Sequence, residues 1–442
     1  MWMHYTRIMR AFSIFLFTVG VYLMTMNSWN ARYFSLQTAV IAGLSEQETF
    51  ALRDQVFPGF NLVEGDETFR FGSAVYPMKQ PGQAVLGSLV YRPLRALNIN
   101  FVNHYDYAVH IITLFTSTVM VGTVSALLYL MAKKFTGSEK IATLSAITFS
   151  FASIVWPYAG VMHHDIYAMF FEFLAVYIFF RYLDEKQPPT LVFLSGVLAG
   201  LTLFFSMLPV TFPIVMLGII LIRKNMREVK NYLFGLVGGL IPSLVFNYLE
   251  FGHILNFPNL AGKVSDTFPV FDLNNFGSHL WFYLVSPESS LWAYSPVYLL
   301  AIWGILYAGK KQPALKLLMI AVPLAQILHI SLQETYGGFQ YGPRYLLTIL
   351  PILALGWPFF LREKQTKFWR LVYFVSLFFS VGTAGLGAVQ TVMYEGTPYG
   401  PGKFLGNVWR GELPEFRMVG VGILVLIGAY FVSKISLRPR HR

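Results

Sequence analysis

The feature that most limits how this chain can fold is a series of apolar blocks, each about 20 residues long and so able to cross roughly 30 Å of hydrocarbon. Backbone amides and carbonyls inside lipid have no water to bond, so such blocks fold as helices that pair their own polar groups. A membrane barrel would show short alternating stretches instead, and the sequence has none. Charge agrees, because only 12% of the 442 residues are charged, against roughly 25% in ordinary globular chains. Spans are expected at 11–28, 106–132, 141–157, 164–182, 190–207, 209–222, 231–250, 290–308, 313–333, 345–361, 368–388 and 416–434. The reading is an all-α polytopic membrane protein of about twelve transmembrane helices, between about eleven and thirteen, with helical outer loops.

The net charge of +11 invites a nucleic-acid partner, but its distribution argues against one. Segments expected on the inner side hold 22 of the 33 Lys and Arg, from Arg7 and Arg10 to Arg440 and Arg442, although these loops are short. That bias places both termini inside, and the basic excess becomes a topology signal. Acidic residues gather on the other side, among them Glu46, Glu64, Asp66, Glu67, Asp272, Glu334 and Glu415. Arg7 and Arg10 precede an apolar run that no small-residue cleavage site follows, so the first span is read as uncleaved. With no cysteine in the chain, disulfides, thiolate catalysis and Cys-ligated metal are excluded. A single membrane-embedded domain over 1–442 is expected, with outer loops near 29–105, 251–289, 334–344 and 389–415. Function concentrates on loops held by a rigid scaffold.

In the first outer loop, Asn30-Ala31-Arg32 lies near the start and Glu64-Gly65-Asp66-Glu67 further on. Gly72-Ser73-Ala74-Val75-Tyr76-Pro77-Met78-Lys79-Gln80-Pro81-Gly82 follows, and Pro81-Gly82 is a turn signal opening a helix to about Leu97. Lys79 beside that turn can meet an anion near a helix N-terminus, or snorkel from an interfacial helix. His163-His164-Asp165 opens the fourth span. Adjacent histidines point about 100° apart on a helix and do not form an i, i+4 ligand pair, so zinc is disfavoured. Asp165 is better suited as a base, as a cation ligand, or as a charge favoured by the helix dipole. Glu172 falls inside the bilayer, where a carboxylate is a functional candidate or is satisfied by a neighbouring helix. After the ninth span, the irregular Glu334–Tyr345 stretch places Arg344 at a membrane surface. There it can fork onto two phosphate oxygens or anchor at a lipid headgroup. Tyr336, Phe339, Tyr341 and Tyr345 can line a sugar or an isoprenoid tail.

Four segments together resemble the GT-C superfamily of integral membrane glycosyltransferases, in particular its protein-mannosyltransferase-like members. They are Gly72 to Gly82 with the residues that follow, Ile154-Val155-Trp156-Pro157-Tyr158 with His164-Asp165, Ser286-Pro287 through Leu291-Trp292-Ala293-Tyr294-Ser295-Pro296, and Tyr336 through Gly342-Pro343-Arg344-Tyr345 with Pro351. The resemblance implies a GT-C-like fold and transfer of a hexose or pentose from a polyprenyl-phosphate carrier to an acceptor hydroxyl at the outer leaflet, with inversion. It implies Arg344 and Lys79 at the donor phosphate, and Asn30, Arg32, Tyr76, His164, Tyr341 and Tyr345 as substrate-binding candidates. A glycan, a lipid or a protein can be the acceptor, membrane lipid is a further partner, and a divalent cation is the one cofactor to consider.

One departure stands out. The family pattern carries an Asp just after the first span, and here that place reads Asn30-Ala31-Arg32. An amide cannot serve as general base. Either the base has moved to Asp165, Asp66 or Glu64, or the chain belongs to a divergent subgroup, or it is inactive. A transporter or flippase of a lipid-linked sugar is the alternative from another class; Glu172, Asn247 and His329 keep it open. The expected place is the plasma membrane of a prokaryote, with the site facing outward.

Overall fold

The computed structural model describes residues 2–33, 35–52, 68–185, 188–258, 271–308, 313–337, 340–364, 366–390, 392 and 414–437. Helix dominates them. The first spanning helix, α1 (Trp2–Thr25), is followed by α2 (Ser28–Tyr33) and α3 (Ser35–Glu46). Next come a hairpin of β1 (Thr68–Phe71) and β2 (Ala74–Pro77), and the amphipathic α4 (Gly82–Ala96). α5 (Tyr105–Thr113) runs through a π-helical turn at Leu114–Thr118 into α6 (Val119–Thr136). Then follow α7 (Glu139–Phe151), the short α8 (Val155–Ala159), α9 (His164–Glu185), α10 (Thr190–Phe205), α11 (Thr211–Ile222) and α12 (Met226–Phe251). The remainder comprises α13 (Phe276–Leu284), α14 (Leu291–Tyr294), α15 (Val297–Tyr307), α16 (Pro313–Ser331), α17 (Leu350–Ala354), α18 (Trp357–Glu363), α19 (Lys367–Ala388) and α20 (Val419–Leu437).

Each of the twelve expected spans coincides with helix, but the helices differ in length. Among the described residues six are individually long and apolar enough to cross a membrane: those over 6–25, 105–136, 164–183, 226–251, 313–331 and 367–388. The helices Arg344–Ala354 and Trp357–Glu363, bent by 45° at the break between them, are long and apolar enough only as a pair. Shorter apolar helices lie at Thr190–Phe205, Leu208–Ile222, Val297–Tyr307 and Val419–Lys434. The expected 141–157 span breaks at Ala152 between α7 and α8. This is an integral membrane protein.

Lipid tails are as apolar as leucine, so helices in a bilayer associate through close packing of small residues. One such contact is α10 against α12. A Cβ on Gly235 or Gly239 would run into the carbonyl oxygens of Phe193 and Val197, and one on Gly196 or Gly200 into those of Tyr232 and Leu236. α9 is the central helix, with Ile166, Met169, Phe173, Val176 and Phe179 buried in the main apolar core. The first loop has a core of its own: Val40 and Ile41 from α3, Ala84, Tyr91 and Leu94 from α4, Ile112 from α5, and Met162. Met162 immediately precedes His163, so this small core packs directly against the start of α9.

The helix expected after Pro81-Gly82 is α4, capped at Leu97. The hairpin ahead of it was not expected, because four-residue strands carry too short an alternation to read. It turns at Gly72, whose φ of 59° is left-handed and open to glycine without steric cost.

Candidate active site

Three interruptions of helix meet at one point. They are the corner between α8 and α9, the extended residue Ser206 that ends α10, and the loop that leads into Arg344. Asp165 lies in the first turn of α9, where the helix dipole favours its charge. It is fully buried, and Ser206 donates its hydroxyl to Oδ1 at 2.9 Å. His163 Nδ1 lies 3.6 Å from Oδ2, and His164 Nε2 lies 3.3 Å from Oδ1. The two imidazoles stack with centroids 4.6 Å apart.

Arg344 closes the cluster. Its Nη1 is 3.8 Å from Asp165 Oδ2 and 3.1 Å from His163 Nε2, and its Nε donates to the carbonyl of Gly337. Gly337 has a φ of 109°, and a Cβ there would stand 3.3 Å from Arg344 Cγ, so glycine suits both the backbone turn and the space. The guanidinium carbon sits 5.0 Å from the centre of the Tyr345 ring, within cation–π range. A guanidinium only donates, so His163 Nε2 is the acceptor in that contact, while Nδ1 receives the backbone N–H of Asp165 at 3.3 Å. Burial first, and then the charges of Arg344 and Lys79, hold His163 well below the usual imidazole range and keep it neutral. The Lys79 charge thus acts on this cluster.

The cluster is tied to the first loop at two places. Gln83 donates from Nε2 to the Met162 carbonyl at 2.7 Å. Gly82 packs on the end of α10, where a Cβ would stand 2.6 Å from the Phe204 carbonyl oxygen. The Pro81-Gly82 turn thus permits close approach to the strand-like residue that carries Ser206.

Other sequence candidates are placed elsewhere. Asn30 is buried and its amide is engaged with main chain: Nδ2 donates to Gln390 O at 3.2 Å, and Oδ1 accepts from Val392 N at 2.9 Å. It is a latch between α2 and the end of α19. Tyr341 is likewise a core residue rather than a wall of an open pocket. Its hydroxyl donates to Thr383 O at 2.6 Å, its N–H to Val392 O at 2.7 Å, and its ring meets Tyr294 edge to face. Tyr345 lines the Arg344 side, with its hydroxyl 3.1 Å from Thr335 Oγ1. Tyr76 packs 5.2 Å from Phe251, on a neighbouring groove. Glu64, Asp66 and Phe339 lie outside the described residues, as does the side chain of Arg32. Glu172 is fully buried, and neither of its oxygens has a hydrogen-bond partner.

His163, His164 and Asp165 offer ligand atoms all within 4.8 Å of one another. The donor set nonetheless suits a divalent cation poorly. One imidazole nitrogen already accepts from Arg344, and a second positive charge beside the guanidinium and Lys79 would be repelled. Ser206, Gln83 and Gln340, the last of these 3.2 Å from His163 Nε2, carry no motif that would single them out in the chain. They are isolated polar residues whose partners are distant in the chain.

The wider comparisons bear on this geometry. A model of the family described as dolichyl-phosphate-mannose-protein mannosyltransferase matches residues 109–248, the stretch that contains the His-His-Asp corner and Ser206. ArnT from Cupriavidus metallidurans, in a crystal structure with undecaprenyl phosphate bound, superposes with a TM-score of 0.52 over 98% of this chain and 72% of its own, at 11% identity. Its apo crystal structure gives 0.56 over 98% and 77%, at 10% identity. This chain has the GT-C fold. The resemblance read from the four segments is borne out. No curated protein matches the chain.

Proposed function

We propose that this GT-C protein is a glycosyltransferase that moves a sugar from a polyprenyl-phosphate carrier to an acceptor hydroxyl at the outer leaflet of a prokaryotic plasma membrane. The observation that carries the reading is the buried Asp165–Arg344 pair, a carboxylate and a guanidinium 3.8 Å apart at the start of a spanning helix. Glycosyl transfer to a hydroxyl needs both. The carboxylate of Asp165 takes the proton of the acceptor O–H as the oxygen bonds to the anomeric carbon. The bond from that carbon to the phosphate oxygen breaks, and the phosphate leaves with the electron pair. Arg344 and Lys79 stabilise the charge it gains. Attack opposite the departing phosphate inverts the anomeric centre. The Ser206 hydroxyl orients the carboxylate, and the His163 ring, which receives the Asp165 backbone N–H, holds the turn that carries it. ArnT binding undecaprenyl phosphate and the mannosyltransferase family match both favour a polyprenyl-type donor.

Arg344→Ala is expected to lower transfer from a labelled lipid-phosphate donor by about 10²–10³-fold, the effect of losing a preorganised transition-state donor, with expression unchanged. Full activity in that variant would remove the assignment. Transport of a lipid-linked sugar is the second reading, favoured by Glu172, an intramembrane carboxyl with no hydrogen-bond partner. Donor-dependent movement of sugar across proteoliposomes without bond cleavage would select it.

A further inference from the structure

A narrow groove runs between the first-loop elements and α12, and Gln83 and Lys79 line it. Its walls are Val40 of α3, Phe50, Tyr76 of β2, Ala84 of α4, and Phe246 and Phe251 of α12. These surfaces are apolar, and the polar residues Gln37, Lys79, Gln80 and Gln83 gather along one part of the lining. One polar side chain in this wall is unusual. Gln83 is only 3% exposed, and its Nε2 donates to the Met162 carbonyl at 2.7 Å. That bond fixes the amide orientation, because only the NH₂ end can face a carbonyl. Oε1 is therefore a pure acceptor, and it has no hydrogen-bond partner. A buried acceptor left unmatched is costly, so its presence in an apolar groove calls for a ligand that brings one donor and otherwise aliphatic surface.

We infer that this groove is the acceptor subsite and that the acceptor is a lipid-borne alcohol. Its chain lies along Val40, Phe246 and Phe251, and a hydroxyl donates to Gln83 Oε1. The long apolar wall of Val40, Phe50, Ala84, Phe246 and Phe251 favours an aliphatic chain over a soluble glycan. The donor's tail would leave Oε1 unmatched, since an isoprenoid has no donor proton. Gln83 is bonded to the residue before His163, so a hydroxyl held there is tied to the same turn that carries Asp165. The inference rests on the transferase reading above for the word acceptor, but its test measures binding alone.

The full chain in phosphatidylcholine nanodiscs would be labelled with a long-chain alcohol carrying a diazirine, and in parallel with the methyl ether of the same probe. The alcohol is expected to label the peptides holding Val40 and Phe246 roughly tenfold more strongly than the ether, the preference expected from one matched hydrogen bond to a buried acceptor. Gln83→Met should erase that preference. Val40→Trp, which fills the groove from α3 and leaves the bond to Met162 intact, should reduce labelling by both probes. Equal labelling by alcohol and ether in the unaltered protein would overturn the inference. So would loss of labelling on adding undecaprenyl phosphate, which would make the groove the donor's channel. Arg344→Ala should leave the labelling unchanged, so a failed transfer assay and a failed binding assay are separate results.

Discussion

Two corners of this molecule invite comparison, the one at Asn30 and the one at Asp165. Both are buried polar residues in the first turns of helices that follow a break in the chain. Their partners differ in kind. Asn30 is matched by main chain, with one amide atom donating to Gln390 O and the other accepting from Val392 N. Asp165 is surrounded by side chains that carry or exchange protons: Ser206, His163, His164 and Arg344. Main-chain partners hold a fold in place and cannot change protonation. Side-chain partners can follow a carboxylate as it gains a proton. The departure from the family pattern at Asn30 therefore fits a corner given over to structure, and the proposed acid–base role falls to the other.

The largest effect that tests this contrast is on Asp165 itself. Asp165→Asn keeps the shape and the bond from Ser206, and should lower transfer by about 10²–10⁴-fold, the usual contribution of a positioned general base. Adding Asn30→Asp to that variant should not restore activity. Recovery measured with a labelled donor would show that the first corner can still supply the base. Asn30→Asp alone replaces a donor by a carboxylate facing the Gln390 carbonyl. It should cost roughly 1–3 kcal/mol of stability, read as an earlier thermal unfolding transition. An unshifted transition would mean that the latch is not structural.

Smaller effects sharpen the picture. Ser206→Ala removes the hydroxyl donated to Asp165 and should reduce turnover roughly tenfold with little change in KM for the donor. Tyr158 links the two corners, because its hydroxyl donates to Tyr341 O at 2.9 Å and Tyr341 N–H donates to Val392 O. Tyr158→Phe should cost about 1 kcal/mol in stability and only a few-fold in rate. The smallest expected change is on chelation. Because Arg344 and Lys79 crowd the His-His-Asp group, treatment with EDTA should alter transfer by less than roughly twofold. A large loss restored by one divalent metal would reverse that view of the cluster.

Much of this was readable along the chain, and the limits of that reading have physical causes. The span positions, the helix after Pro81-Gly82, Asp165, Arg344 and Lys79 all rest on local signals: runs of apolar residues, a turn dipeptide, and charges at the ends of spans. Tyr341 misled because an aromatic in a Gly-rich loop looks exposed, whereas here Tyr158, Thr383 and Val392 close around it. Asn30 misled because an amide near a catalytic motif looks like a ligand, and its partners lie 360 residues away and further along the chain.

The sequence by itself determined that this chain lives in a membrane, since a solvent with no hydrogen bonds to offer permits only helices built from such apolar runs. It also determined which charged residues stand at the ends of those helices. Only the tertiary structure decided that Asp165 and Arg344, far apart in the chain, lie 3.8 Å from each other with Ser206 and His163 between their elements. It also decided that Asn30 holds backbone. Pairings of that kind depend on how glycine faces such as those of α10 and α12 let helices approach. That is a property of packing between segments, and no single segment contains it.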